Sequence, residues 1–543
     1  FNSLLTATTA VTNTALGKNA MRLTTTGSDN VAVGHEALDK NTTGGNNTAV
    51  GKSALIANTT ASFNTAVGDK AMQTNTTGTN NTAIGHQALN KNTTGGLNTG
   101  LGLNALYNNT TGTVNTAVGH SALKANNTGG YNVAIGHESM LANTTGITNT
   151  ALGNNALRGN TTASQNVGIG TNALYTNTTG SDNVAVGHNA LDANTTGTLN
   201  TAVGKDALGA NTTASSNTAV GREAMRDNTT GTNNISMGVS ALSTNTTASS
   251  NTALGTAALR RNTTGPSNTA VGHQAMDSNT TGFENVASGY RALYNNTSGE
   301  TNTAIGTEAL RDNQTADNNT AVGKSALMSN TTGELNTAVG RGALDASTTA
   351  EYNVAVGKDA GSTLTTGSYN AVLGTFALRD STTAARSVAI GTSALQNNVS
   401  GGDNTAVGSN CLTSTTGNNN TAIGYASGNA NTSGSQNTFV GRDSGKNVTT
   451  GTNNTVLGDN TSASSATVSN EFTLGNSSVS NLRCNDTSIS SLSDARDKTN
   501  VQDIPLGLDF VNQMRPVSFD WDRRDGSYKG KKDFGFIAQE LKE

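Results

Sequence analysis

A phrase of seventeen residues recurs along most of the chain and limits the folds open to it. Asn-Thr-Ala-Val-Gly begins at Asn47 and again at Asn64, and related phrases make 27 copies between Asn13 and Asn454 and just beyond. Seventeen residues are too few to bury a core alone, but coils of that length can stack into a solenoid. We number the positions of one copy as slots 1 to 17, starting at the Asn.

The slots of one copy have distinct physical roles. The consensus is N-[TV]-A-[VIL]-G-x-x-A-[LM]-x-x-N-T-T-[GA]-x-x, and slots 2 to 4 predict a short strand. We predict that the aliphatic residues of slots 4 and 9 fill the interior of the coil. Slot 5 is Gly in all 27 copies, which fits a turn that requires a positive φ or a close backbone approach. Slots 12 to 15 are typical of a turn.

Small residues at slots 3 and 8 suggest a second packed surface. Ala49 and Ala54 are examples, and in this interpretation they face away from the aliphatic interior, where another chain could approach closely. We therefore expect an intertwined oligomer. One inter-strand spacing of about 4.8 Å per copy would give a shaft of roughly 130 Å.

Composition and charge exclude several classes of protein. Aromatic residues make up 4% and charged residues 13% of the chain, which is poor material for a compact enzyme core. Only 3 Pro and few charges also argue against disorder. The net charge of −4 comes without a basic run, so we expect no nucleic-acid partner. No apolar run approaches the ~20 residues of a membrane-spanning helix, so we expect no membrane insertion.

Three side-chain arrays along the repeats could carry chemistry. The six histidines all stand in slot 6, and only two of them are in neighbouring copies: His35, His86, His120, His137, His188 and His273. Rings of His could bind a metal ion. Slot 6 also accepts Lys, Asp, Arg and Tyr, which favours a solvent-facing position, and we expect neither a metal nor another cofactor.

Turn residues produce the other two arrays. Asn41-Thr42-Thr43 and its equivalents are glycosylation sequons, but glycans about 5 Å apart would crowd severely, so we favour stacked ladders of Asn and Thr. An ice-binding Thr face is disfavoured, because the Thr pair lies in a turn. Two cysteines define no disulfide framework, and Cys411 takes an Ala place in slot 8, which predicts a small buried hydrophobe.

The repeat phrases resemble those of phage and bacterial "tail fibre domain" proteins over about residues 13 to 470. They are more distantly similar to the shorter coils of trimeric autotransporter adhesin heads, which are left-handed β-rolls. The resemblance implies a fibrous, adhesive protein and does not identify a receptor.

The composition changes after the last repeat. The final 50 residues hold two of the three prolines, the only Trp (Trp521) and four of the ten Phe. The stretch IPLGLDFVNQM has helical apolar spacing, and RPVSFDW predicts a strand. This end of the chain is a separate globular unit.

The C-terminal motifs resemble the endosialidase-type intramolecular chaperone. They are residues 493–498 (SDARDK), Arg515-Pro516-Val517 and residues 535–541 (GFIAQEL). Members of that family trimerise, bring intertwined β-structure into register and cut themselves off at a Ser-Asp bond. The match begins near residue 491 and covers only the first portion of the chaperone.

By position, the resemblance makes Ser493 the nucleophile, Lys498 its base and Asp494 the new N-terminus after cleavage of the Ser493–Asp494 bond. A Ser hydroxyl needs a base nearby, and a lysine whose pKa is lowered by burial could serve. No His follows His273, so a local Ser–His pair is excluded. In the alternative interpretation, Ser493 and Lys498 are linker residues of a globular cap.

Together these features predict an all-β homotrimer: an N-terminal edge at 1–12, a β-solenoid shaft at 13–458, a neck at 459–493 and the start of a small α+β chaperone at 494–543. We interpret it as a virion tail fibre or spike, extracellular, that reaches for a host-surface glycan or protein. Because the chain begins at Phe1 without Met, we expect a preceding segment that joins other tail proteins.

Two alternatives remain from the sequence. A bacterial trimeric adhesin on the cell surface could use the same repeats and chaperone, and an anchor or secretion signal would distinguish it. A polysaccharide depolymerase would need clustered carboxylates in a groove, and the scattered Asp and Glu predict none. Any enzymatic activity would then be autoproteolysis, without an external substrate.

Overall fold

The structure is a computed structural model that describes residue 4 and residues 6–483, 515–520 and 530–537. The chain divides into two compact units, Phe1–Ser478 and Val479–Glu543. Every regular element among the described residues is a β-strand, and none is a helix. No helix of the described residues is therefore long and apolar enough to cross a membrane.

The first unit contains 28 strands of three residues each: β1 (Thr14–Leu16), β2 (Val31–Val33), β3 (Thr48–Val50), β4 (Thr65–Val67), β5 (Thr82–Ile84), β6 (Thr99–Leu101), β7 (Thr116–Val118), β8 (Val133–Ile135), β9 (Thr150–Leu152), β10 (Val167–Ile169), β11 (Val184–Val186), β12 (Thr201–Val203), β13 (Thr218–Val220), β14 (Ile235–Met237), β15 (Thr252–Leu254), β16 (Thr269–Val271), β17 (Val286–Ser288), β18 (Thr303–Ile305), β19 (Thr320–Val322), β20 (Thr337–Val339), β21 (Val354–Val356), β22 (Ala371–Leu373), β23 (Val388–Ile390), β24 (Thr405–Val407), β25 (Thr421–Ile423), β26 (Thr438–Val440), β27 (Thr455–Leu457) and β28 (Phe472–Leu474).

Each copy of the repeat supplies one strand, formed by slots 2 to 4 as predicted. Consecutive strands pair in parallel to form a single 28-stranded sheet. The register follows the repeat, so that Ala49 lies beside Ala66 of the next coil. β28 follows the 27 copies and lies within residues 459–493. Its coil was not recognised in the sequence because Glu471 stands in the slot of the Asn.

The β-solenoid is closed by hydrogen bonds on every side of the coil, not only along the sheet. The Leu38 N–H donates to the Ala54 carbonyl oxygen at 3.0 Å, and the Thr42 N–H donates to the Thr59 carbonyl oxygen at 2.8 Å. Because the turns repeat in register, their backbone groups find partners in the next coil, as buried peptide groups must.

The interior of the coil is lined by small residues and one larger aliphatic residue. Ala49 (slot 3), Ala54 (slot 8) and Leu55 (slot 9) are completely buried, whereas slot 4 points outward, with Ile84 39% exposed. The prediction for slot 9 is confirmed. The predictions that slot 4 fills the interior and that the Ala rows form a second surface are wrong, because one Leu or Met already fills a coil of this width.

Slot 5 Gly has both features that the sequence suggested, a positive φ and a close approach to the backbone of the next coil. Gly51 has a φ of +132°, and a Cβ there would lie 2.4 Å from the carbonyl oxygen of Gly68 in the next coil. Slots 7, 9 and 17 also turn through the left-handed region without Gly, as in Ser53 (φ 54°), Leu55 (φ 51°) and Asn46 (φ 59°). Each such residue costs roughly 1–2 kcal/mol, which the packed and hydrogen-bonded coil must offset.

Two ladders of buried asparagine run through the solenoid. In slot 12, Asn58 Nδ2 donates to Asn41 Oδ1 at 2.9 Å and to the Ala61 carbonyl oxygen at 3.0 Å. In slot 1, the Asn64 backbone N–H donates to Asn47 Oδ1 at 3.0 Å. The slot-12 Asn ladder is unbroken from Asn41 to Asn330, the last of its bonds joining Asn330 to Asn313.

The ladders explain the sequons. Asn41 and Asn58 are 0% exposed, and a glycan on either amide would require that Asn to leave the ladder. Thr42 Oγ1 donates to the Thr59 carbonyl oxygen at 3.0 Å, so Thr contributes a parallel row. The preference for turn ladders is therefore confirmed by these hydrogen bonds.

Cys411 occupies the slot 8 position that Ala takes elsewhere. It is completely buried, and its Sγ donates to the Ala422 carbonyl oxygen at 3.2 Å. Burial raises the pKa of the thiol to about 12. The prediction of a small buried hydrophobe is confirmed.

The second unit has two described strands, β29 (Val517–Asp520) and β30 (Lys532–Gly535), which pair antiparallel. Phe519 lies opposite Asp533 in this pair. The strand predicted from RPVSFDW is confirmed over its described part. The stretch with helical spacing, IPLGLDFVNQM, lies outside the described residues.

Replacing Asn194 by Ala should open the ladder locally. It removes the donor to Asn177 Oδ1 (2.8 Å), which leaves that buried oxygen without a partner, and one of the two acceptors of Asn211 Nδ2 (2.8 Å), which keeps its bond to the Ala214 carbonyl oxygen. We expect the opening free energy of the flanking coils, measured by amide hydrogen exchange, to fall by about 2–3 kcal/mol. The exposed Thr196→Ala in the same turn is the control, and equal effects of the two variants would contradict the ladder's role.

Cys411 should resist alkylation in the folded shaft. Its raised pKa keeps the thiol protonated through the range in which an unfolded cysteine ionises, so the stability it contributes is present at neutral pH and is lost as the pH rises toward about 12. In a Cys484→Ser background, we expect iodoacetamide at pH 8 to label Cys411 only after unfolding. Equal labelling rates in folded and unfolded protein would contradict its burial.

Candidate functional site

The outward face of the sheet is uncharged along the whole solenoid, with Thr in slot 2 of 18 of the 27 copies and an apolar residue in slot 4 of all but one. Slots 2 and 4 of β1 to β28 form this surface, which we call the outer apolar face. No charged residue stands in either slot of any of the 27 copies. Slot 4 residues that are at least a third exposed occur from one end to the other, among them Leu16, Ile84, Leu101, Leu152, Met237, Ile305, Leu373 and Ile423.

Exposed apolar surfaces of this length are typical of interaction sites. The sequence analysis missed it because it assigned slot 4 to the interior. The signal was nevertheless present, since slot 4 is apolar in all copies but the one with Ser288.

Charged residues are concentrated on the other sides of the coil. Arg22 Nε lies 2.9 Å from Asp39 Oδ1 and Arg386 Nε lies 2.7 Å from Asp403 Oδ1, each pair bridging two neighbouring coils. The hydrogen bond from Arg386 lowers the pKa of the Asp403 carboxyl. The distribution of charge therefore separates a polar surface from the outer apolar face.

The histidines lie where the sequence placed them, on exposed slot 6 positions. His120 and His137 stack with ring centroids 5.1 Å apart and planes 15° from parallel. Glu138, in slot 7, comes close to both, since ligand atoms of the three side chains lie within 4.8 Å of one another. The sequence analysis did not single out Glu138 because it treated slot 7 as variable.

Glu138 is held by a cation from the next coil. Its Oε2 accepts a hydrogen bond from Arg158 Nε at 2.8 Å. This bond lowers the pKa of the Glu138 carboxyl, and the nearby His137 and His120 act in the same direction. The carboxylate is therefore anionic and fixed beside the two imidazoles.

Two grooves on the described part of the shaft lack the carboxylates that polysaccharide cleavage ordinarily needs. One, of about 470 Å³, is lined by Arg261, Ser278, Thr280, Asn295, Thr297 and Gln314. Another, of about 380 Å³, is lined by Lys446, Asn460, Ser462 and residues 475–478. Neither of these two grooves is lined by a carboxylate, and glycoside hydrolysis ordinarily needs a pair of them.

The residues predicted to cut the chain, Ser493, Asp494 and Lys498, lie outside the described residues. Their roles stay predictions. The described part of the same unit is the antiparallel pair β29 and β30, which contains Val517 of the Arg-Pro-Val motif and Gly535 of the Gly-Phe-Ile-Ala motif.

Comparison with known proteins bears on the C-terminus. Residues 493–543 match the model of the family described as Chaperone of endosialidase, and a search of curated proteins finds no match to the chain. The family match begins at Ser493, the first residue of the predicted scissile pair. The chain thus joins a β-solenoid of 17-residue coils to an endosialidase-type chaperone segment, a combination that fits a protein of the tail fibre or spike type.

Proposed function

We propose that three copies of this chain form the shaft of a virion tail fibre or spike, which extends from the particle and attaches it to a host surface. The observation that carries the proposal is the outer apolar face. A sheet face exposed to water is ordinarily polar, but here the outward slot 4 is apolar in every copy except the one with Ser288, and slot 2 carries no charge in any copy.

The size of the outer apolar face suits a stable interface. Twenty-eight strands at about 4.8 Å spacing make a face roughly 130 Å long, and three residues per strand give a width of about 10 Å. The area of about 1,300 Å² per chain exceeds the ~800 Å² per partner of a standard protein interface. Burying such a face stabilises an oligomer through the hydrophobic effect.

The period of the outer apolar face points to a second copy of the chain as its partner. Aliphatic side chains recur at every coil, so a partner that packs along the full length needs the same inter-coil spacing. Another copy of the same solenoid has it. The C-terminal segment resembles the endosialidase-type chaperone family, whose members trimerise. This resemblance favours three chains over two.

A chaperone at one end has a physical task in such a fibre. Nearly identical coils can pair out of register by one whole copy, and β-contacts between chains form slowly and misassemble readily. We propose that the C-terminal segment aligns the three chains before the shafts pack together, and that the assembled fibre no longer needs this segment.

Release of the chaperone would proceed by cleavage of the Ser493–Asp494 bond. Attack of a Ser493 hydroxyl on its own carbonyl would close a strained four-membered lactone, so the attacking Ser493 hydroxyl comes from a neighbouring chain of the proposed trimer. It adds to the carbonyl of the Ser493–Asp494 bond, Lys498 accepts the hydroxyl proton and returns it to the leaving amino group of Asp494, and water hydrolyses the resulting ester between chains. The products are a carboxylate on Ser493 and a free amino group on Asp494. No external substrate or cofactor takes part.

The outer apolar face can be tested within one coil. Ile235 (44% exposed) and Met237 (46% exposed) lie on this face in β14, whereas Val239 (39% exposed) is an apolar residue of slot 6 on the same coil. We expect Ile235→Glu with Met237→Glu to lower the dissociation temperature of the trimer by several degrees, because the charges would be buried between chains. Val239→Glu should leave it unchanged. A fall of the same size for both would contradict an interface at this face.

The cleavage proposal can be tested on the full natural chain by gel electrophoresis and N-terminal sequencing. We expect a released fragment that begins at Asp494, and we expect Ser493→Ala and Lys498→Gln each to abolish its release, while Ser491→Ala releases it normally. Release of the same fragment from the Ser493→Ala variant would overturn the assigned nucleophile, and an intact wild-type fibre would overturn cleavage itself.

A further inference from the structure

Two histidines meet on the shaft because stacked coils place equivalent slots one above the other. His120 and His137 occupy slot 6 of neighbouring coils, and their rings lie 5.1 Å apart. Both side chains are exposed, so they can turn about their side-chain bonds without disturbing the packed interior.

A carboxylate completes the cluster. Glu138 follows His137 and sits in the left-handed region (φ 51°), and one ligand atom from each of Glu138, His120 and His137 lies within 4.8 Å of the others. The hydrogen bond from Arg158 Nε to Glu138 Oε2 (2.8 Å) orients this carboxylate. Metal-ligating carboxylates are themselves commonly held in this way by neighbouring hydrogen bonds.

We propose that His120, His137 and Glu138 bind one divalent transition-metal ion of the zinc class. Imidazole nitrogen and carboxylate oxygen together suit Zn²⁺, Cu²⁺ and Ni²⁺. Ligand bonds of about 2.0–2.1 Å in a tetrahedron separate the donor atoms by about 3.3 Å, so the exposed side chains close by an ångström or so on binding. The fourth position is left to water, and the ion joins two consecutive coils.

The other histidines provide a contrast within the same chain. His86 Nε2 lies 3.4 Å from Asp69 Oδ2, which is a pair and not a triad. The His273 ring stacks on the Tyr290 ring with centroids 5.7 Å apart. A Tyr ring offers no ligand comparable to an imidazole nitrogen. Among the described residues the cluster around His120 is the one group of three metal-ligating side chains. We therefore expect one site per chain.

The test is a calorimetric titration of the EDTA-treated full protein with Zn²⁺ at neutral pH. We expect one saturable site per chain, and a loss of affinity of at least about tenfold in His120→Ala or His137→Ala, since even the loss of an outer partner of a ligand costs 10–100-fold. Glu138→Gln, which preserves the shape of the side chain, should also weaken binding. Cu²⁺ bound at the site should show electron paramagnetic resonance coupling to two nitrogens.

His188→Ala is the matched control. His188 is an exposed slot 6 histidine whose neighbours in the adjacent coils are Thr171 and Lys205, so its loss should leave the affinity unchanged. The proposal is overturned if the wild-type protein binds no Zn²⁺ saturably, or if His188→Ala weakens binding as much as His120→Ala does. Circular dichroism of each variant establishes that the shaft is folded in every titration.

Discussion

The buried asparagine amide is the interaction on which the rest of the shaft depends. A buried amide without partners is costly, and here its partners come from the adjacent coil: Asn58 Nδ2 reaches Asn41 Oδ1, and the Asn64 N–H reaches Asn47 Oδ1. Where neighbouring coils both carry Asn in slot 12, as they do from Asn41 to Asn330, the amides satisfy one another. This interaction favours near-identical copies without requiring Asn in every one, since slot 12 takes Ser, Leu, Thr or Val in several coils nearer the C-terminus. Ser387 keeps the slot 1 row intact by accepting from the Asn404 N–H through its hydroxyl.

The narrow interior has a consequence for the outside. Seventeen residues close around two rows of mostly Ala, the Asn rows and, in 23 of the 27 copies, one Leu or Met in slot 9, so the remaining aliphatic row, slot 4, is left on the surface. With aromatic residues at 4%, the core consists mainly of Ala and Leu side chains. Our proposal that the outer apolar face packs against further copies buries the slot 4 row, and it also gives the C-terminal chaperone segment a task, since equivalent coils do not define their own register.

The sequence predicted the period, the strands of the solenoid, the slot 5 Gly and the turn ladder, because each depends on local chemistry repeated in register. It also predicted the strand of the C-terminal unit, from the local pattern of RPVSFDW alone. It failed on which strand face points inward. Period-two alternation separates slot 3 from slot 4 but does not say which of them is enclosed. That choice depends on left-handed turns at non-Gly residues such as Ser53 and Leu55. The conformational preferences of Ser and Leu do not predict such turns. Glu138 was missed because two of its partners, His120 and Arg158, belong to other slots in the neighbouring coils.

The central claim is that the outer apolar face is buried between copies of this chain. Electron cryomicroscopy of the intact fibre, viewed in cross-section through the shaft, tests it most directly. The account predicts three solenoids around one axis, each with its 28-stranded sheet turned toward the others and slot 6 toward solvent. A single solenoid, or three that meet through another side of the coil, would contradict it.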